Sequence, residues 1–316
     1  MTKKLKIVAV TGPTATGKTA LAVNLARKFG GEIISVDSRQ VYRHLDIGTG
    51  KDIEEYGEIP CHLIDIVPPG GEYHLKAFCA DAAQAVEDIA SRGKLPILCG
   101  GTALYLHAFL RGYTLPGSAP APEVRARLDR ATLEELQSEL SRLDPGFYSG
   151  FSERDNFTRV RRQLELRLLP PGEPTSTPAY DALVLGVLYP RAEVRARIEE
   201  RLDRRLEAGM VDEVRRLHDE FNMSWEKLEF LGLEYRFVAE YLQGATDFDE
   251  MRRTLLDHIR QFAKRQDIFF RKMEREGVDI HWIERGDPAR AEKLMADFLA
   301  GNPPPGPGFR LMNFKN

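Results

Sequence analysis

Leu5-Lys-Ile-Val-Ala-Val-Thr-Gly-Pro-Thr-Ala-Thr-Gly-Lys-Thr19, with Ala20-Leu-Ala-Val-Asn-Leu-Ala-Arg27 behind it, decides the fold class. The apolar run Leu5 to Val10 reads as a buried strand, and the residues after Thr19 have helical spacing. Between them Gly12, Pro13, Thr14, Ala15, Thr16, Gly17, Lys18 and Thr19 fit the pattern G-x-x-x-x-G-K-[ST]. Glycines in such a loop let backbone N–H groups turn inward around phosphate oxygens. Lys18 adds a point charge, and the Thr19 hydroxyl can ligate Mg²⁺. The helix that begins there aims the positive end of its dipole at the same anion. A Gly-rich turn without a ligand is the plain alternative, and the flanking strand and helix count against it.

Outward from this loop, strand and helix alternate. Gly30-Gly31 supplies a helix C-terminal cap, and Glu32 to Val36 reads as the second strand. Cys61 to Val67 is a third apolar run, stopped by Pro68-Pro69-Gly70-Gly71. Helical spacing over His74 to Ala90 leads to a fourth strand, Leu95 to Cys99, closed by Gly100-Gly101-Thr102, and Ala103 to Leu110 is again helical. This order predicts an α/β fold: a P-loop NTPase-like parallel sheet flanked by helices. Ligands then sit outside the carboxyl ends of the strands. Thr14 to Thr19, Asp37 to Gln40, Asp65 and Gly100 to Thr102 are expected to converge there.

From about Pro116 the texture changes. Ala119-Pro-Ala-Pro122 reads as a linker, Glu123 to Leu143 and Ser152 to Leu168 as charged helices, and Pro170-Pro171-Gly172 as a stop. Residues 116–179 are therefore expected to form a small helical insertion domain in a catalytic core made of 1–115 and 180–300. Ala182 to Leu188 returns as a strand. Helices follow over Ala192 to Ala208, Val211 to Phe221, Leu228 to Leu242 and Asp247 to Glu274, then a last strand, Val278 to Ile283. Asp287 caps a final helix with Pro288 in its first turn, running to Leu299. The Pro- and Gly-rich residues 301–316 are expected to be a flexible tail.

Composition sets the outer bounds. The 316 residues carry a net charge of −3 with 29% charged side chains, which argues against a disordered or uniformly basic chain. Cys61, Cys79 and Cys99 lack metal-ligand spacing, and an odd number leaves at least one unpaired, so a reduced chain is expected. No run of about 18 apolar residues appears. The expectation is a cytoplasmic protein with no membrane partner.

Asp37 at the tip of the second strand has several possible tasks. A carboxylate beside a phosphate loop can organise Mg²⁺ through water or accept a proton from an attacking group. It can also simply be a helix N-cap, a position that Asp and Ser both favour. Arg39, Gln40 and Tyr42 suit a flat polar heterocycle, and would equally make a salt-bridged turn. Met251 to Arg275 holds eight Lys and Arg against three Asp and Glu. Such a stripe is either a phosphate-reading surface or a solvated helix face. Phe262, Phe269 and Phe270 within it have core spacing.

The phosphate loop, Asp37-Ser-Arg-Gln-Val-Tyr-Arg43, His62-Leu-Ile-Asp65, Gly100-Gly-Thr-Ala-Leu-Tyr-Leu106 and Ala263-Lys-Arg-Gln266 occur in this order. Together they resemble the tRNA dimethylallyltransferases (tRNA isopentenyltransferases, the IPP transferase family) over about residues 5 to 285. The resemblance implies transfer of a five-carbon prenyl group from dimethylallyl diphosphate to N6 of the adenine just 3′ of the anticodon in tRNA, with release of diphosphate. It implies that Gly12 to Thr19 hold the diphosphate, with Mg²⁺ on Thr19, and that Arg197 adds a further cation, Arg195 or Arg201 being the substitutes. Asp37, Lys18, Thr19 and Thr102 become the catalytic set, with Asp37 deprotonating the amino group. Asp37, Ser38, Arg39, Gln40, Thr102, Arg159, Arg162, Lys264, Arg265 and Gln266 are implied to meet the anticodon stem-loop, Gln40 by holding the flipped base. A monomer is expected. Two departures stand out: a short insertion, and Gly232-Leu-Glu-Tyr-Arg236 where a Gly-Tyr pair is more usual. The rival readings are a P-loop kinase of a small metabolite or nucleoside, a prenyltransferase of free adenine nucleotides, and a non-catalytic RNA-binding protein.

Overall fold

Six strands form one sheet: β1 (Leu5–Thr11), β2 (Gly31–Ser35), β3 (Cys61–His62), β4 (Leu95–Cys99), β5 (Tyr180–Leu188) and β6 (Ile280–Glu284). Their spatial order is β3-β2-β4-β1-β5-β6, and every pairing is parallel. The computed structural model describes residues 4–113, 121–169, 180–303 and 305–313. The chain divides into two compact units, Met1–Arg111 with Pro178–Asn316, and Gly112–Thr177. The sheet belongs to the first. Its central strand, β1, pairs Val8 with both Ile97 and Leu183 and is buried on both faces, which is why it reads as an unbroken apolar run rather than an alternation.

In the first unit, α1 (Lys18–Phe29), α2 (Leu75–Ser91) and α3 (Ala103–Arg111) connect the early strands. The second unit consists of α4 (Pro122–Arg130), α5 (Leu133–Leu143), α6 (Pro145–Gly150) and α7 (Phe157–Leu168). The first unit resumes with α8 (Arg191–Glu207), α9 (Met210–Asp219), α10 (Trp225–Leu231), α11 (Leu233–Leu242), α12 (Phe248–Arg275) and α13 (Pro288–Leu299). One sheet face, with Ile7, Ala9, Ile34 and Val184, packs on Phe78 of α2, Phe109 of α3 and Phe270 of α12. The other, with Val8, Val10, Ile97 and Leu185, packs on Leu21 and Leu25 of α1 and Met295 and Phe298 of α13. Each such aliphatic or aromatic side chain contributes about 1.5–3 kcal/mol when buried. A third apolar cluster ties α8 to α12 and includes Val41 and Leu45 of the loop after β2.

Four local differences from the sequence reading have physical causes. The third apolar run pairs with β2 only at Cys61 and His62, because Leu63 and Asp65 turn into the left-handed region at φ 63° and 56°. The helix expected over Glu123 to Leu143 is two helices, since Thr132 and Glu135 form a reciprocal capping box that starts α5. Leu228 to Leu242 is likewise broken, at Gly232 with φ 76°. Near the C-terminus Leu311 is buried, and its N–H donates to the Glu274 carboxylate at 3.0 Å, so the chain around Leu311 is docked rather than an unattached tail. Ala119-Pro120 of the expected linker and Pro170-Pro171-Gly172 lie outside the described residues.

Within the second unit, Leu128, Leu136, Leu140, Val160 and Leu164 make a small core of their own. Glu165 is buried there beside Arg161 and Arg162.

Candidate active site

A cleft of about 1060 Å³ opens at the carboxyl ends of β1, β2 and β4. One wall is the loop from β1 to α1. Gly12 stands at φ 146°, where a Cβ would meet the Val187 carbonyl at 2.5 Å, so only glycine lets the chain leave the sheet this closely. Gly17 is left-handed at φ 75° and precedes α1. The loop ties itself together: Thr16 Oγ1 and Lys18 Nζ both donate to the Pro13 carbonyl, at 2.8 and 2.9 Å. Thr14, Ala15, Gly17, Lys18 and Thr19 line the cleft, while Gly12, Pro13 and Thr16 shape the loop from behind. Burial pushes Lys18 down to about 8; Cys99 and Asp37 oppose the shift and Arg201 adds to it. At neutral pH it is still mostly charged, and its half-buried side chain lines the cleft.

The facing wall is the turn after β2. Asp37 Oδ1 accepts the backbone N–H groups of Arg39 at 2.8 Å and Gln40 at 3.3 Å. These bonds hold its carboxyl down, as do Arg39 and Lys18, yet burial outweighs them and the group titrates above its ordinary value. Such a carboxylate is a stronger proton acceptor than an exposed one. Thr102 of the loop after β4 accepts the Ser38 N–H at 3.2 Å and so braces the same turn.

The third wall is one face of α8, where Arg197, Arg201 and Arg205 recur every four residues. Arg197 Nε donates to the Ala15 carbonyl at 2.7 Å, and its guanidinium lies over the Tyr189 ring. Arg201 reaches the Thr14 hydroxyl at 3.4 Å and Asp52 at 3.0 Å. Arg205 sits deeper, bonded to the Gly48 carbonyl and to Glu234 at 3.3 and 3.2 Å. Arg201 and Arg205 are thus each paired with a carboxylate, Asp52 and Glu234, which leaves Lys18 and Arg197, both bonded to loop carbonyls, as the cations nearest the phosphate loop.

Beneath the Asp37 turn lies a set of buried polar groups that no motif announced. Glu213 of α9 accepts the backbone N–H groups of Asp46, Ile47 and Gly48, at 2.9, 2.6 and 3.0 Å, and the Tyr235 hydroxyl at 2.8 Å. Lys51, wholly buried, donates to the Tyr42 carbonyl at 2.7 Å and to Asp46 at 2.6 Å, and contacts Asp65. Gln40 belongs to this framework: it accepts from the Ser35 hydroxyl and donates to the Gly50 carbonyl, both at 2.9 Å. One donor and one acceptor position of its amide are thus engaged inside the protein, while Gln40 still lines the cleft.

Gln266 is similarly occupied. It accepts the Thr14 N–H and donates to the Gly101 carbonyl, both at 2.9 Å, clamping the phosphate loop to the loop after β4. Lys264 and Arg265 are exposed on α12. Lys264 lines a second, smaller cavity of about 380 Å³ behind Pro13 and not the main cleft. Two of the eight cations of the basic stripe are neutralised by another helix: Arg252 pairs with Asp203 and Arg260 with Glu199. Phe262 lines the cleft, whereas Phe270 is core. Arg159 and Arg162 belong to the second unit, where they pair with Glu153 and Glu165.

Comparison with known proteins supplies the context for this geometry. The chain matches the family model described as IPP transferase over residues 40–273 and that described as isopentenyl transferase over residues 5–58. It is 46% identical to tRNA dimethylallyltransferase 2 of Trichlorobacter lovleyi over 299 residues, covering 93% of this chain and 97% of that protein. The corresponding figures for tRNA dimethylallyltransferase 1 of Porphyromonas gingivalis are 45% over 303 residues, 93% and 99%. The full-length tRNA isopentenylpyrophosphate transferase of Bacillus halodurans superposes with a TM-score of 0.69 at 32% identity, covering 94% of this chain and 96% of that one. A eukaryotic dimethylallyltransferase seen acting on tRNA shares the fold, with a TM-score of 0.82 at 24% identity and 95% and 80% coverage. With the IPP transferase model covering residues 40–273, and relatives above 40% identity along nearly their whole length, this chain belongs to the IPP transferase family.

Proposed function

We infer that this chain moves the dimethylallyl group of dimethylallyl diphosphate to N6 of the adenine just 3′ of the anticodon in tRNA, releasing diphosphate. The observation that carries the reading is that Asp37 and the phosphate loop line one cleft, close enough for Asp37 and Lys18 to shift each other's titration. The bond from N6 to C1 of the allyl group forms while the bond from C1 to the diphosphate oxygen breaks. The electron pair leaves on the diphosphate, and the proton on N6 passes to the Asp37 carboxylate. Lys18, Arg197 and the backbone N–H groups of the loop stabilise the departing charge. Asp37, with its titration raised by burial, is matched to an amine that becomes acidic only as it attacks.

The donor set suits Mg²⁺. The loop offers the Thr19 hydroxyl at the cleft, beside Lys18. Mg²⁺ characteristically uses few protein oxygens, substrate phosphates and retained waters. When bound it would neutralise diphosphate charge in the transition state. Arg39 and Phe262 stand at the cleft where the adenine would enter, and the base must leave its stack to reach Asp37. The reading includes a cytoplasmic, monomeric enzyme; no described helix is long and apolar enough to cross a membrane.

The test is incorporation of labelled dimethylallyl diphosphate into unmodified tRNA, with AMP and ATP as parallel substrates. Label in tRNA alone, lost in Lys18→Ala, is the expected result. Label in AMP would transfer the activity to free nucleotides, and ATP hydrolysis without transfer would return the chain to the kinases.

A further inference from the structure

We propose that Phe230, at the rim of the cleft, is a stacking platform for the unpaired RNA base adjoining the adenine that is modified, with Arg39 as its cationic neighbour. The proposal rests on the RNA reading above and adds an RNA-positioning residue to it. Phe230 is 81% exposed, the highest value for a large apolar side chain among the described residues. A single exposed apolar residue is ordinary; the placement of this one is not. Leu231, Gly232 and Leu233, the next three residues, line the cleft. The backbone there is tightly constrained, with Gly232 at φ 76° and Leu233 left-handed at φ 42°, while Leu228 anchors α10 in the core. The Phe230 carbonyl accepts Arg39 Nη2 at 3.4 Å, and the Arg39 N–H donates to Asp37 Oδ1 at 2.8 Å. Arg39 thus links the backbone at Phe230, through its side chain, to the Asp37 carboxylate, through its own N–H.

The chemistry of the substrate says what such a ring is for. Extruding one base leaves its neighbour without a stacking partner, and that lost stack is part of what flipping costs. An aromatic ring fixed beside the exit replaces it. Stacking on an aromatic side chain accepts any base, because every base has a π-face. The planar Arg39 guanidinium can cover the same base edge or meet its phosphate. Phe230 is thus expected to act on RNA affinity and not on the bond-making step.

The experiment compares wild type, Phe230→Ala and Phe230→Trp, using a 17-nucleotide anticodon stem-loop and dimethylallyl diphosphate. Phe230→Ala is expected to raise KM and Kd for the stem-loop about tenfold to a hundredfold, with kcat at saturating RNA changed less than twofold and binding of dimethylallyl diphosphate unaltered. Phe230→Trp should keep wild-type affinity, and its added fluorescence should be quenched when the stem-loop binds. Unchanged KM in Phe230→Ala, or unquenched Trp fluorescence on a bound stem-loop, overturns the proposal. So does a wild-type dimer in sedimentation that Phe230→Ala dissolves, because the ring would then serve a second copy of the chain. A wild type that prenylates no RNA refutes the reaction reading by itself, and the quenching measurement still decides the platform.

Discussion

Glu213→Gln is the most informative single substitution outside the reaction centre. Its carboxylate collects three backbone N–H groups and one phenol, and the side chain is almost entirely buried. In the Gln variant one oxygen becomes NH₂. The less damaging orientation keeps an oxygen on Asp46 and Ile47 and turns NH₂ toward Gly48 and Tyr235, where Tyr235 can rotate its hydroxyl to accept. The Gly48 N–H is then orphaned, at about 1–3 kcal/mol. The other two bonds lose the strengthening that an ionised acceptor gives, for a total of about 2–4 kcal/mol. Because the nest holds one loop and not the sheet, the loss should appear as local opening. Amide protection across residues 45–50 should fall about 30- to 1000-fold, read by hydrogen exchange, while peptides from β1 and β4 stay protected. The loop also holds Gln40 and Lys51, so kcat/KM is expected to drop about tenfold. Protection within threefold of wild type would show that the nest does not hold this loop, and the argument would fail.

Gly12→Ala places a Cβ 2.5 Å from the Val187 carbonyl at φ 146°; the fold should survive, and calorimetric binding of dimethylallyl diphosphate should weaken at least tenfold. The pH profile of kcat/KM should rise as Asp37 loses its proton, at a pH above the usual carboxylate value of about 3.9, because burial raises this group. It should fall again near 8 as free-enzyme Lys18 deprotonates. Asp37→Asn should abolish the acid limb and lower kcat about 10²- to 10⁴-fold; an acid limb that persists in this variant would exclude Asp37 as the base. Glu32 is held at about 2 by Arg92, with help from His62. A depressed carboxylate stabilises the fold above its unfolded value and loses that contribution as pH falls toward 2. Arg92 is substantially exposed, so the contribution at pH 7 is discounted to about 1–2 kcal/mol. Urea midpoints of Glu32→Gln and wild type should therefore differ at pH 7 and converge near pH 2.

The phosphate loop, the parallel sheet and Asp37 were legible because their signals are local: a Gly pattern between a strand and a helix, and apolar runs separated by turns. The breaks at Thr132 and Gly232 were written locally too, as a capping box and a helix-ending glycine, but were masked by the continuous helical spacing around them. Other features have no local signature. Glu213, Lys51 and Arg205 sit in charged stretches that read as solvated helix faces and loops; only the packing of α8, α9 and α11 beneath the turn makes them interior. The same packing brings Asp203 and Glu199 of α8 against Arg252 and Arg260 of α12, so counting charge along one helix overstated how much of it is free for RNA. Gln40 and Gln266 were legible as polar residues near the site but not as braces, since each is satisfied by backbone atoms distant in sequence or in an adjoining loop.

The reading of Asp37 as a helix-type cap and the reading of it as a base turn out to be compatible. A cap alone would leave the carboxyl below its ordinary value, since two N–H groups favour the ionised form. Here those bonds are present and the group is nonetheless raised by burial. The N–H bonds to Oδ1 therefore fix where the carboxylate points, and desolvation sets how strongly it takes a proton. Asn can keep the same N–H bonds and cannot take the proton, whereas Ala removes both. This makes Asn the discriminating substitution: a collapse of activity in Asn with the turn intact isolates proton transfer, and any additional loss in Ala measures what the turn contributes by holding Arg39 and, through it, Phe230 in place.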